Sequence, residues 1–181
     1  MLLTLLAGIQ IKPAHPTEGL PAVSRDGTRV LLPLEVPGGS CDGGKEVRVL
    51  GFDIPAGADA EPSRSWTVGS TCRGQVEFVA QQLAALNQEL QRGGYTSVDY
   101  ARDLSVDLLE GEPLTLAVRR GDRLLAKATS HRPRSRNAMS GMRSVIAVSD
   151  KVYFVRLDWI FRGVPHRPDV REWVPVMASR P

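Results

Sequence analysis

The chain has 181 residues, 42% of them hydrophobic and 24% charged, with a mean hydropathy of −0.15; that is the size and balance of one water-soluble domain with a real core. No apolar run approaches the roughly 20 residues that cross a bilayer, which excludes a transmembrane helix. The net charge of +3 is uneven: residues 1–118 carry 9 basic and 15 acidic groups, residues 119–143 carry 8 and 1, and residues 144–181 carry 6 and 4.

Residues 1–16 form an apolar N-terminal segment. Met1-Leu2-Leu3-Thr4-Leu5-Leu6-Ala7-Gly8-Ile9 has the apolar core of a secretory signal, with no basic residue ahead of it, and Ala14-His15-Pro16 makes a poor cleavage site. It reads as a signal remnant or export-related segment, with a buried edge strand as the alternative. Residues 17–181 read as a single domain.

Pro21-Ala22-Val23-Ser24-Arg25-Asp26-Gly27-Thr28-Arg29-Val30 is a strand-turn-strand pattern with an Asp-Gly corner. It resembles the Pro-x-x-Ser-x-Asp-Gly-x-x-Ile/Val signature of the TolB-like, WD40-related β-propeller repeat. The resemblance implies a hairpin and no more, because the motif occurs once and a propeller needs several blades.

From Thr28 to Val36, Val30, Leu32, Leu34 and Val36 alternate onto one face, as in a half-buried strand. Pro33 on the other face predicts an edge strand or a bulge. A glycine-rich loop over 37–44 leads into a second strand, Lys45 to Ile54, with Val47 and Val49 on one face and Leu50 and Phe52 on the other. Residues 55–65 read as loop. The spacing of Val76, Val79, Ala80, Leu83, Leu86 and Leu90 predicts an amphipathic helix over about 71–92. Ser70 or Thr71 would cap it, Glu77 suits its first turn, Arg92 suits its last, and Gly93-Gly94 ends it.

The remainder alternates with period two. Leu104, Val106 and Leu108 predict one strand, and Leu114, Leu116 and Val118 another. The turn Arg119-Arg120-Gly121-Asp122 returns the chain through Leu124 to Thr129. Ser130 to Met142 reads as a polar loop. Val145–Val148 and Lys151–Phe161 form a hairpin around Ser149-Asp150, and Arg171–Met177 is a last strand. Tyr153, Val155, Leu157, Trp159 and Phe161 share one face of their strand. Val152, Phe154, Arg156, Asp158 and Ile160 share the other, which predicts a central strand covered by the helix on one side. The expected fold is α+β: an antiparallel, meander-like sheet packed by the one long helix, with an additional N-terminal hairpin.

Cys41 and Cys72 lie in Gly/Ser-rich turns. Neither has a second Cys or a His at metal spacing. An even count beside a signal-like start fits a disulfide in an oxidising compartment, two unrelated free thiols being the alternative. That bond would tie the first hairpin to the start of the helix. His15, His131 and His166 have no partner at triad or metal spacing, and no phosphate-binding or nucleophile-elbow motif occurs. Asp99, Asp103 and Asp107 recur at spacing four but read as surface groups. No cofactor is expected.

The sharpest functional candidate is Arg132, Arg134, Arg136 and Arg143, expected on an exposed loop where guanidinium groups could take an acidic protein or an anionic polymer. A solvated loop is the plainer reading. Without interleaved aromatics the segment gives no nucleic-acid signal. The expectation is an exported, periplasmic or secreted, non-enzymatic protein that binds a partner through its sheet or this Arg-rich loop. Alternatives are a small hydrolase-like enzyme with an unrecognised site, and a structural subunit of an envelope assembly using edge strands for β-augmentation.

Overall fold

A computed structural model describes residues 8–37, 41, 43–109, 113–131, 138–161 and 170–178. In chain order the elements are β1 (Ala22–Val23), β2 (Arg29–Pro37), β3 (Lys45–Asp53), β4 (Arg64–Ser70), α1 (Val76–Gly93), β5 (Thr96–Ser97), β6 (Ser105–Leu109), β7 (Leu114–Arg120), β8 (Arg123–Ser130), β9 (Ala138–Ala147), β10 (Val152–Phe161) and β11 (Val170–Met177). They build three antiparallel sheets, ordered β4-β3-β2-β1-β5, β11-β10-β9 and β6-β7-β8.

Three hydrophobic cores separate four layers. Leu83, Leu86 and Leu90 of α1 pack on Leu31, Val49, Trp66 and Val68 of the first sheet. The opposite face of that sheet, Val30, Leu32, Leu34 and Phe52, packs on Ile146, Phe154 and Trp173 of the second. The far face of the second sheet, Tyr153, Val155, Leu157, Trp159, Val174 and Val176, meets Leu114, Leu116, Val118 and Ala126 of the third.

This corrects the expectation of one sheet under one helix. β2, β3 and β10 are apolar on both faces, so each needs cover on both sides, and a single helix can cover only one face of one sheet. β10 is central, as its pattern predicts, but its two faces meet sheets and not α1.

The helix starts at Val76, later than the expected 71, with Gln75 at the N-cap and no side-chain cap. The anticipated caps are engaged elsewhere. Thr71 Oγ1 accepts a bond from the Lys45 N–H, and Ser70 Oγ accepts one from the Cys72 N–H. Val76 is consequently 83% exposed, outside the buried stripe. The C-terminus is as predicted: Gly94 adopts φ +59°, and its N–H returns to the Leu90 carbonyl.

β4 occupies residues read in part as loop; Trp66 and Val68 are its buried alternation. Pro33 lies in an interior strand, not an edge one. It is tolerated because β1 pairs only with Val30 and Leu31, leaving the flank of β2 beyond them open. Cys41 and Cys72 form a disulfide, Cα–Cα 5.8 Å, joining the β2–β3 connection to the stretch ahead of α1. Residues 1–7 lie outside the described residues, but Ile11 is buried with the helix, and its backbone N–H and C=O both bond the Asn87 amide. Among the described residues no helix is long and apolar enough to cross a membrane.

Candidate functional site

The inward face of β10 changes character along its length. Val152 and Phe154 are followed, at the same period of two, by Arg156 and Asp158. Their antiparallel neighbours on β11 are Trp173 opposite Arg156 and Arg171 opposite Asp158. Two guanidinium groups and a carboxylate therefore stand on a face that the first sheet covers only up to Leu34.

Where that cover stops there is a cleft of about 450 Å³, lined by Thr17, Leu20, Pro33, Leu34, Glu35, Tyr100, Arg156, Asp158 and Arg171. Trp173 is buried next to the lining residues Pro33 and Tyr100: its indole N–H donates to the Pro33 carbonyl at 3.0 Å, using the flank of β2 that β1 leaves open. Tyr100 is placed by a bridge to Ile146 on β9 and by the Ala101 N–H bonding the Val145 carbonyl. Its ring stacks on Trp173 at 6.4 Å between centroids.

Asp158 sits between the two cations. Its Oδ1 is 3.3 Å from Arg156 Nε and its Oδ2 is 3.7 Å from Arg171 Nε. Both are longer than the about 2.7–2.9 Å of a tight charge-assisted bond. Arg171 spends its Nη1 on Glu35 Oε2 at 2.8 Å, at the rim, where the Glu35 side chain is 64% exposed. Burial pushes the Tyr100 phenol above its ordinary pKa, opposed by the facing Arg156 guanidinium. Among the described residues two half-buried arginines stand against one half-buried aspartate, with Glu35 at the rim.

A second charged cluster joins α1 to the first sheet. Glu89, 4% exposed, accepts bonds from Arg29 at 2.9 Å, Arg64 at 2.7 Å and the Tyr95 hydroxyl at 3.1 Å. Burial drives the Glu89 carboxyl up, but hydrogen bonds from Arg29 and Tyr95 and the charge of Arg64 outweigh it, so its pKa lies below the ordinary value. Both of its oxygens are engaged by the protein itself, which makes this cluster a clamp between layers.

The residues singled out from sequence are dispersed. Arg132, Arg134 and Arg136 lie outside the described residues. Arg143 is not on a loop: β9 begins at Ala138, and Arg143 is paired with Leu157 within the ladder. The alternation of the preceding polar residues is too weak to announce that extension. Asp103 pairs with Arg120 and Asp107 with Arg119, across the third sheet and its turn. The His131 N–H bonds Asp59, and His166 lies outside the described residues. Trp66, Trp159 and Trp173 are all core residues. No group of three His, Cys, Asp or Glu among the described residues could hold a metal ion.

No protein-family model, curated protein or solved structure matches this chain. The sequence alone held one pointer to the cleft: the Arg156-x-Asp158 pair interrupting an apolar strand face. What it lacked was the partner set from β2, β11 and Tyr100, which lie 55 or more positions away in the case of Tyr100 and Glu35.

Proposed function

We propose that this chain is an exported, non-enzymatic binding protein that meets its partner at the cleft on the β9–β11 sheet. The observation that supports this most is the placing of Arg156, Asp158 and Arg171 on a face that is otherwise core. Charges in such positions are costly to desolvate and add little to stability. Departures of this kind from local consistency concentrate at functional sites. The Cys41–Cys72 disulfide supports export, since such bonds persist in oxidising compartments.

A photo-crosslinking residue at exposed Thr17, on the cleft rim, tests the reading against one at Leu109, on the third sheet. Thr17 should capture a defined partner from the exported fraction of expressing cells, and Leu109 should not. Equal capture from both positions, or a cytosolic protein with two free thiols, overturns it. The second reading keeps the Arg-rich segment as the contact for an acidic protein or an anionic polymer. Its support is the charge excess of residues 119–143, and capture from position 136 in place of 17 would favour it.

A further inference from the structure

We infer that the cleft between β2 and the β10–β11 pair binds a neutral pyranose sugar, stacked on Tyr100 and hydrogen-bonded along the row Arg156, Asp158, Arg171 and Glu35. This rests on the binding-protein reading and names the ligand class. Along the cleft the charged groups alternate in sign and hold one another. Asp158 stands 3.3 Å from Arg156 Nε and 3.7 Å from Arg171 Nε, and Arg171 Nη1 holds Glu35 at 2.8 Å. Arg156 also hydrogen-bonds the Tyr100 hydroxyl. Each charge in the row therefore has an opposite charge beside it. A charged ligand would give up its hydration with no free counter-charge to receive it, whereas a neutral one leaves the pairs in place.

A neutral ligand must still match the row's hydrogen-bonding pattern. Guanidinium groups only donate and carboxylates only accept, so the row presents donors and acceptors in alternation. A hydroxyl does both. Neighbouring hydroxyls on one ring can each accept from an arginine and donate to the next carboxylate. A group that only accepts, such as an ether or a ketone, meets half of the row. Arg156, Asp158 and Arg171 are each partly exposed and Glu35 is open to water, so the row is within reach of a bound molecule.

The ring of Tyr100 supplies the other half of the recognition. Trp173 backs it at 6.4 Å between centroids, yet Tyr100 is still 38% exposed. Tyr95 and Tyr153 are buried, so Tyr100 is the one tyrosine that can meet a ligand. A pyranose carries C–H bonds on its ring face. That face packs against the electron-rich face of an aromatic ring, while equatorial hydroxyls point away to the sides. Leu20, Pro33 and Leu34 extend the apolar wall. An apolar wall beside a polar row, in a cleft of about 450 Å³, has the make-up of a small-molecule site.

The test is a magnetic-resonance titration of the full chain with methyl glucoside, methyl galactoside and methyl mannoside, read on the sugar signals by saturation transfer. At least one should bind with a dissociation constant on the order of millimolar. Raising the salt from about 0.05 to about 0.5 M should leave that constant unchanged, because no charge is neutralised. The uronate of the same sugar should bind about ten-fold more weakly. Cyclohexylmethanol, which has the ring shape without the ring hydroxyls, should not bind. Tyr100→Ala should cost about ten-fold in affinity, while Glu35→Gln, which keeps a carbonyl acceptor, should stay within about three-fold of wild type. Glu35 is exposed enough that its variant folds whatever becomes of Tyr100→Ala. No response to any of the three sugars at about 100 mM, binding that salt abolishes, tighter binding of the uronate, an equal response to cyclohexylmethanol, or unchanged binding in Tyr100→Ala overturns the assignment. A protein captured at Thr17 without any sugar response would overturn the ligand class and leave the binding-protein reading standing.

Discussion

Arg29 on β2 and Glu89 on α1 meet at 2.9 Å, 60 residues apart in sequence, and this pair fastens the helix to the sheet. The contact is asymmetric: the Glu89 side chain is 6% exposed and Arg29 is 43% exposed. Removing the carboxylate leaves two arginines that water can still reach. Removing the arginines strands a buried charge. Glu89→Gln should therefore cost only about 1–2 kcal/mol, and the Arg29→Ala/Arg64→Ala double variant about 3–5 kcal/mol. Urea unfolding of both variants measures the difference, and the reverse order would contradict the clamp.

The same cluster gives stability two pH limits. Glu89 titrates below its ordinary value when folded, so its contribution is complete above the usual carboxyl range and is lost as pH falls through the depressed folded value. Tyr95 runs the other way: burial, and then the Glu89 charge, push its phenol up to about 12. Its contribution is complete below about 10 and is lost as pH rises from there to 12. Phenolate absorbance should show Tyr95 and Tyr100 titrating late, and the later of the two should disappear in Tyr95→Phe. That variant should also reduce the wild type's decline in stability across that alkaline window.

Gly44 lies directly beneath the disulfide. A Cβ there would stand 2.5 Å from Cys41 Sγ and 2.6 Å from Cys72 Sγ, closer than carbon and sulfur can approach. Gly44→Ala should therefore lower the melting temperature of the oxidised protein and slow closure of the bond. In a Cys41→Ser/Cys72→Ser background the same substitution should cost much less. Losing the disulfide itself, with its sequence separation of 31, should cost about 3–4 kcal/mol in the chain-entropy model. Thermal melts with and without reductant separate the two effects.

Along α1, burial and not helix propensity should set mutational cost. Leu86 is fully buried between helix and sheet, whereas Val76 is 83% exposed in the first turn. Leu86→Ala should destabilise by about 2–5 kcal/mol, with Leu83→Ala in the same range. Val76→Ala should be neutral or slightly stabilising, alanine being the better helix former. Denaturant midpoints for the three variants check the helix register directly.

Local pattern determined a good deal of this protein. The period-two faces of β2, β3, β7 and β10 and the buried Leu83–Leu86–Leu90 stripe follow from which residues avoid water. The Gly94 stop and the Arg119–Asp122 turn follow from backbone preferences of single residues. The pairing of Cys41 with Cys72 was open to sequence because the chain has only two cysteines. Tertiary packing decided the rest. A strand that is apolar on both faces demands two covering layers without naming them, so the stack of one helix and three sheets could not be read from β10. Thr71 receives the Lys45 N–H from the neighbouring strand and does not cap the helix, which starts only at Val76. The cleft exists only in three dimensions: Arg156 and Asp158 interrupt a core face, but it takes Glu35, Tyr100 and Arg171, brought from distant strands, to turn two misplaced charges into a site.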